Sequence, residues 1–393
     1  MNLVRAGVFG FVVVLSGCNC GVGVMGDPDG GTVISNGDGS VTFDAGAPDA
    51  GVDAGFDAGF DAGPPGELEA AVVDDRGDLW ALTADGGARF LVGWQDAGAS
   101  SYVRGPRWQP NGTRLAFADG EKPWLVEADG GLTALQLTVT ADSPYQGSTE
   151  RVEWSPDGTR LAIDGRDFLT DARAVFLLPA DGGTEPELLG DARRWAWSGD
   201  GASVFFSRFV GARQTDVTWR YDLAAADAGE FATAMLLDVS HGGVAVLQRT
   251  LRGSDGGTEY VLEATTSGAT FELLPRNAVA ISSGSDGVTF NPAGTELALR
   301  GTVTVNGVGL GFKALRLRLD GGVSTLSDRA TADADFPSCL RYLPDGEVLS
   351  LFTSETPPTL QLAAPDGGRT PRVTPTLGNA AQLGCLDWHL RRD

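Results

Sequence analysis

The stretch VEWSPDGTRLAID, residues 152–164, holds two short apolar runs around Ser155-Pro156-Asp157-Gly158. An aromatic residue, Trp154, closes the first run. Pro156 presets φ for a turn, and Gly158 accepts a left-handed conformation at low cost. The segment therefore predicts a β-hairpin built on a type I turn followed by a glycine bulge.

The same hairpin recurs along the chain. RWQPNGTRLAFA carries Trp108 at the position of Trp154, WAWSGDGASVFFS carries Trp197, VTFNPAGTELAL carries Phe290, and LRYLPDGEVLSL carries Tyr342. CLDWHL supplies Trp388 near the C-terminus. Successive spacings are 46, 43, 93, 52 and 46 residues. The long interval is close to two periods, so a degenerate copy is expected between them, around Val244 to Leu247. A second turn lies downstream of most copies: Asp-Gly-Gly at Asp85, Asp129, Asp181, Asp320 and Asp366, each with apolar runs on both sides. One period thus reads as four antiparallel strands, and a period of 40–50 residues carrying several short strands is a propeller signature.

Counted this way, residues 67–393 predict an all-β domain, a seven-bladed β-propeller of four-stranded antiparallel blades. The last copy ends after its first strand, whereas the domain opens with three strands that lack one. CLDWHLRRD is expected to pair with EAAVVDD, completing a mixed blade and removing two free sheet edges. Cys339 and Cys385 each stand three residues before an aromatic anchor, on either side of this seam, and are candidates for a disulfide.

WSPDGTRLAI followed by LLPADGGTEPELL resembles the TolB-type, WD40-like propeller repeat. The resemblance covers about residues 67–393 and belongs to the repeat. The separate N-terminal α/β domain of TolB has no counterpart here, and the Gly-His and Trp-Asp marks of true WD40 repeats are missing. The resemblance implies a scaffold, and it carries over no partner.

The N-terminal segment has its own signals. Arg5 precedes the apolar run Ala6 to Leu15, which is too short to cross a bilayer as a helix. Leu15-Ser16-Gly17-Cys18 then resembles a bacterial lipobox. That resemblance implies a signal peptide over residues 1–17 and a lipid-modified Cys18, hence membrane attachment through acyl chains. Asn19 in place of Asp favours, by the same family's sorting rule, the outer membrane of a Gram-negative bacterium, with the domain in the periplasm or facing the surface. Residues 18–66 are rich in Gly, Asp, Ala and Pro, with Asp-Ala-Gly five times between Asp44 and Gly63. Such a composition buries too little to offset chain entropy and predicts a disordered tether.

Composition narrows the function classes. The net charge is −23, and only Lys122 and Lys313 are lysines. No basic block exists, which argues against nucleic acid as a partner. Two histidines, His241 and His389, without ligand spacing, speak against a zinc site. No Gly-x-Ser-x-Gly elbow, phosphate loop or dinucleotide fingerprint occurs, so no catalytic residue, cofactor or metal is assigned and no enzyme is expected. A monomeric, non-catalytic scaffold that binds a protein or an envelope polymer is the favoured reading. An extracytoplasmic enzyme acting on glycans or peptides through channel carboxylates is the alternative.

Two places are candidates for binding. Turns fall on one face of a propeller, and the loops joining second to third strands fall on the other. Segments 164–172, 208–216, 301–311, 140–150 and 329–338 are long and dissimilar, and variable loops on a rigid scaffold commonly carry binding. They nominate Asp164, Arg166, Asp167, Phe168, Arg208, Arg213 and Tyr145. The axial channel is the other candidate. The residue before each anchor is Arg107, Glu153, Ala196, Thr289, Arg341 or Asp387, with Arg151 and Arg194 two positions earlier in their copies. Arg107, Glu153, Arg341 and Asp387 are the charged channel-lining candidates.

Overall fold

The computed structural model describes residues 24–26, 32–35, 41–44, 67–73, 78–83, 88–93, 104–127, 132–135, 145, 149, 151–166, 172–184, 186–254, 256–266, 269–274, 276–280, 288–305, 308–320, 323–325, 337–342, 348–352, 359–363, 369–373 and 387–391. These form an all-β propeller of antiparallel sheets. The opening hairpin is there: Val152–Trp154 pairs with Arg160–Arg166, which pairs with Arg173–Pro179, which pairs with Glu187–Asp191. Neighbouring sheets repeat this order. One comprises Arg104–Trp108, Arg114–Ala118, Pro123–Glu127 and Leu132–Ala134. Another comprises Arg194–Trp197, Ser203–Val210, Thr215–Asp222 and Asp227–Ala232.

The next sheet corrects the register of the degenerate copy. Its first strand is Met235–Val239, and Ala245–Arg252 is the second. Val244 to Leu247 therefore belongs to the second strand's side of the turn, and the anchor position falls on Val239. Ser240 N–H donates to the Val244 carbonyl, whereas Ser155 and Ser198 N–H reach Arg160 and Ser203. This turn is one residue shorter than the others and lacks proline, and an aliphatic anchor replaces the aromatic one. All three marks of the repeat are lost there together. Thr258–Thr265 and Thr270–Glu272 complete the sheet.

A five-stranded sheet follows, in which Val279–Ala280 and Val288–Phe290 both pair with Glu296–Val305, and Val308–Arg318 and Val323–Thr325 complete it. Five blades thus lie between Arg104 and Thr325, in place of the seven expected over the whole domain. Two further sheets are described chiefly by backbone pairing. One is Pro337–Tyr342, Val348–Phe352, Thr359–Ala363 and Arg369–Val373. The other joins Asp387–Arg391 to Glu67–Val73, Leu79–Thr83 and Ala88–Val92, with Asp387 opposite Ala71 and Arg391 opposite Glu67. Within the stretch expected to be a tether, Val24–Gly26, Thr32–Ser35 and Val41–Asp44 pair as a separate three-stranded sheet. Asn-Gly-Asp-Gly at 36–39 links two β-branched runs there and is itself a hairpin signal.

The core lies between sheets. Ala116 and Leu125 pack with Val152, Leu161, Ile163, Phe176 and Leu178 of the next sheet. Ala162, Val175 and Leu177 then pack with Trp195, Trp197, Val204 and Phe206. Both faces of a blade are consequently apolar, which explains the continuous buried run Leu161 to Ile163. Fully burying a side chain such as Phe176 contributes about 1.5–3 kcal/mol.

The turns explain the repeated letters. Gly112, Gly158, Gly201, Gly243 and Gly294 all adopt φ between 68° and 79° at the same turn position. A side chain there would be strained. Asp157 Oδ1 accepts from Ser155 Oγ at 2.5 Å and from the Thr159 backbone N–H at 3.0 Å. Asp200 repeats this with Ser198 and Ala202. In three blades the second turn is tied to the first: Ala180 N–H donates to the Thr159 carbonyl, Leu223 N–H to that of Ala202 and Leu319 N–H to that of Thr295. Adjacent blades interlock as well. Gln109 Nε2 donates to the Gly158 carbonyl at 2.8 Å. A Cβ on Gly199 would sit 1.9 Å from the His241 backbone, and one on Gly294 3.1 Å from Ser240. The turn face is one continuous packed surface across these blades.

Candidate functional site

The residues that precede the anchors converge. Arg107 Nε lies 3.6 Å from Glu153 Oε1. Arg151 Nε and Nη2 approach the same oxygen at 3.0 and 2.5 Å. Arg151 also lies over the Trp195 ring of the next sheet, 4.2 Å from its centre. Burial pushes the Glu153 carboxyl up, but Arg151, Arg107 and, from a further sheet, Arg341 outweigh it and hold Glu153 below the ordinary carboxylate range. The Glu153 side chain remains 22% exposed, so solvent reaches it.

The corrected register adds a member that sequence reading missed. Asp238 precedes Val239 as Glu153 precedes Trp154. Its carboxylate accepts the Val239 N–H at 2.9 Å and, across the sheet boundary, the Phe290 N–H at 3.2 Å. Burial is the largest influence on it, and the Glu153 charge adds to burial. The backbone donors and Arg151 oppose them, and the Asp238 carboxyl is pushed up to about 7. Only the spacing rule could have found Asp238, because its copy carries neither Pro-Asp-Gly nor an aromatic anchor. Ala196 is buried and Thr289 half-buried at their equivalent positions. Asp387 occupies the equivalent place on its strand by backbone register. Arg194 is buried and acts on Asp216.

The loop candidates divide differently. Tyr145 is corrected to a core residue: it is 2% exposed and meets Phe176 edge-on at 5.2 Å. Its hydroxyl contacts Thr149 Oγ1 at 2.5 Å and donates to the Glu121 carbonyl at 3.0 Å. Asp164 is corrected too. It lies inside Arg160–Arg166, 4% exposed, accepting the Arg151 N–H at 2.7 Å and the Arg173 guanidinium at 2.5 and 3.0 Å. Both are internal fastenings. Arg166 ends the same strand and is exposed.

The loops themselves are shorter than expected, because the strands run on. Val210 pairs with Thr215, leaving residues 211–214 as the turn. Val305 pairs with Val308, so 301–311 is mostly a long hairpin. Alternating Thr and Val at 302–305 favour that extension. Arg208 is exposed, pairs with Asp191 at 3.0 Å and lies over the Trp219 ring at 4.7 Å. Arg213 is exposed and pairs with Glu230 at 2.7 Å. Burial raises the Asp216 carboxyl, against the lowering influence of Arg193 and Arg194. Cys18, Asp167, Phe168 and Cys385 lie outside the described residues, and Cys339 is described by its strand alone, opposite Leu351.

Among the described residues no group of three His, Cys, Asp or Glu side chains could hold a metal ion. Among them, too, no helix is long and apolar enough to cross a membrane.

This geometry defines the class: a β-propeller with a mixed-charge cluster where the first strands of its blades meet. No family model matches the sequence, and no curated protein matches it either. Solved structures do. Prolyl endopeptidases are similar at 12% identity and a TM-score of 0.51, over 84% of this chain and 51% of theirs. A putative TolB from Agrobacterium tumefaciens is similar at 16% identity and a TM-score of 0.43, over 67% and 90%. The β-propeller domain of the Trilobed protease from Pyrococcus furiosus is similar at 14% identity and a TM-score of 0.49, over 69% and 84%. At such identities the likeness is one of fold.

Proposed function

We propose that this chain is a lipid-anchored envelope protein whose propeller acts as a non-catalytic scaffold for a protein or envelope polymer. The observation that carries the reading is the contrast between the two faces. The turn face is closed by repeated hydrogen bonds and close backbone packing. The opposite face bears dissimilar ends with exposed Arg166, Arg208 and Arg213. Exposed arginines suit recognition surfaces, and Arg208 is held over the Trp219 ring. Capture from cell envelopes should recover a partner that is lost on combined Arg166→Glu, Arg208→Glu and Arg213→Glu substitution. Recovery of the same proteins and polymers by this variant counts against the loop face.

The anchor rests on Leu15-Ser16-Gly17-Cys18, with Asn19 favouring the outer membrane of a Gram-negative bacterium. Labelling cells with an alkyne fatty acid should tag the protein, and Cys18→Ala should abolish the tag. We further propose a ring of seven blades closed by Asp387–Arg391 on Glu67–Val73. In support, Ala71 and Leu79 pack with Trp108 and Leu115, and Ala298 packs with Leu340 and Tyr342, which extends the face-to-face order at both ends. Deleting residues 383–393 should then abolish cooperative unfolding.

One observation favours a second reading, an enzyme acting on glycans or peptides. Asp238, pushed up to about 7, could exchange a proton near neutrality beside Glu153. Glu153 itself is held low by arginines and is a weak base. Hydrolysis of an envelope glycan or peptide that is lost in Asp238→Asn would replace the scaffold reading.

A further inference from the structure

We infer that the small N-terminal sheet is a docked strut: Val41–Asp44 seats on Val323–Thr325 at the rim of the propeller and fixes which side of the ring faces the membrane. The docking stands on strand contacts alone. Its consequence at the membrane rests on the lipid-anchor reading.

Strand order brings two sheet ends together. Val41–Asp44 is the terminal strand of the N-terminal sheet. Val323–Thr325 is the terminal strand of the five-stranded sheet and pairs on its inner side with Leu315–Leu317. The two strands, far apart in sequence, lie against each other with Cα atoms within 8 Å. A terminal strand carries backbone groups that its own sheet leaves open, and covering such an edge with another segment protects it.

The small sheet needs the support. Its strands have three, four and four residues. Met25 stands opposite Val33, and Val33 opposite Phe43, so three apolar residues share one register row. A sheet of this size cannot enclose a core of its own and is stable only against a larger surface. The linker makes the contact intramolecular. Residues 45–66 join the sheet to Glu67–Val73. A tether of that kind supplies an effective concentration on the order of millimolar, so a modest interface suffices.

The position of the anchor turns docking into orientation. Cys18 lies six residues before Val24, a reach of at most about 20 Å. Without docking, the chain from Cys18 to Glu67 would allow about 160 Å and any orientation. Fourth strands lie at the circumference of a propeller. The ring therefore stands on edge at the membrane, on the sheet that ends in Val323–Thr325. Both faces then open sideways, and the loop face with Arg166, Arg208 and Arg213 stays clear of the lipid.

The test places photoreactive benzoylphenylalanine at Ser324 of the full chain and maps cross-linked peptides by mass spectrometry. Products joining residue 324 to residues 41–44 are expected. Their yield should be about tenfold above that from the same probe at Thr370, on the terminal strand of the neighbouring sheet. The reciprocal probe at Thr42 should label residues 323–325, which keeps the test open if one site disturbs folding. Cys18→Ala should leave the cross-link intact while releasing the protein from membranes. Equal yields at residues 324 and 370 overturn the docking, whether or not the chain is lipid-anchored. For the orientation, the lipidated chain carries a fluorophore at Asp320 or at Ala212 in phosphatidylglycerol vesicles with a headgroup quencher. Asp320, beside the dock, should be quenched several-fold more than Ala212. Replacing residues 24–44 by a Gly-Ser stretch of equal length should erase the difference. Equal quenching with the cross-link intact overturns the edge-on stance. A cross-link that forms in a chain never found in membranes overturns the anchor reading and leaves the docking standing.

Discussion

Trp154 donates its indole N–H to the Arg107 carbonyl, 2.9 Å away, across the boundary between two blades. Trp197 does the same to the Glu153 carbonyl at 3.4 Å. In these two hairpins the aromatic residue thus fastens its blade to the strand before it, at a residue of the charged cluster. Between the Val239 blade and the next, whose anchor Phe290 has no indole, the Phe290 backbone N–H donates to the Asp238 carboxylate. Trp154→Phe keeps most of the packing and deletes the bond, leaving a buried carbonyl short of a donor. It should cost about 1–3 kcal/mol, with Trp197→Phe costing less because its bond is longer. Urea denaturation of the two variants measures the difference.

Gly165 lies under Tyr145. A Cβ at this position would be 2.6 Å from the Tyr145 ring and 3.1 Å from Phe176. Gly165→Ala should destabilise the domain by about 1–3 kcal/mol through overpacking. In the background of Tyr145→Ala the same change should cost much less. A double-mutant cycle in denaturant reads the coupling, and additive costs would contradict the contact.

Asp164 is a fastening. Asp164→Ala removes three hydrogen bonds around Arg151 and Arg173 and should lower stability by about 2–3 kcal/mol. Because Arg151 is thereby loosened, its stacking over Trp195 weakens and the tryptophan emission shifts. Thermal unfolding followed by fluorescence checks both at once.

The pH response has a definite sign. Asp238 rises from 3.8 to about 7 on folding. The folded state therefore holds this proton more tightly than the unfolded chain. The stabilisation is complete below about pH 4 and is lost as pH rises through about 7, on the order of a few kcal/mol in total. Glu153, Asp157 and Asp200 are lowered instead, so their contribution is present above about pH 4 and is lost below it. The interval from about 4 to 7 thus reports mainly on Asp238 among these four carboxyls. Chemical denaturation across it should show stability declining in the wild type and flattening in Asp238→Asn.

The hairpins were legible because each turn must solve the same steric problem with the same few residues. Pro156 and Gly158 mark backbone geometry, and Trp154 marks an obligatory contact between blades. The fourth copy was displaced in the reading because those marks disappear where the turn is a residue shorter, and Asp238 went unseen with them. Two of the loop candidates were misplaced for a different reason. Asp164 and Tyr145 are polar residues in unlike segments, which is how binding residues look, yet burial turned both inward. Sequence polarity does not distinguish a carboxylate that faces water from one that satisfies a neighbouring guanidinium and a backbone N–H. The residues before the anchors could be placed on their strands because the four-strand repeat itself specifies where they stand.

The interlocked turns bear on how such a domain can change. Gly199 meets the His241 backbone and Gly294 meets Ser240, so a residue added to either turn would have to displace the adjacent blade. The opposite ends, where Val210–Thr215 and Val305–Val308 close, carry no such neighbour-to-neighbour fit in the described blades. Insertions should be accepted there and refused at the turns. A library of short grafts placed at residues 211–214 would diversify one face while the other keeps the blades in register.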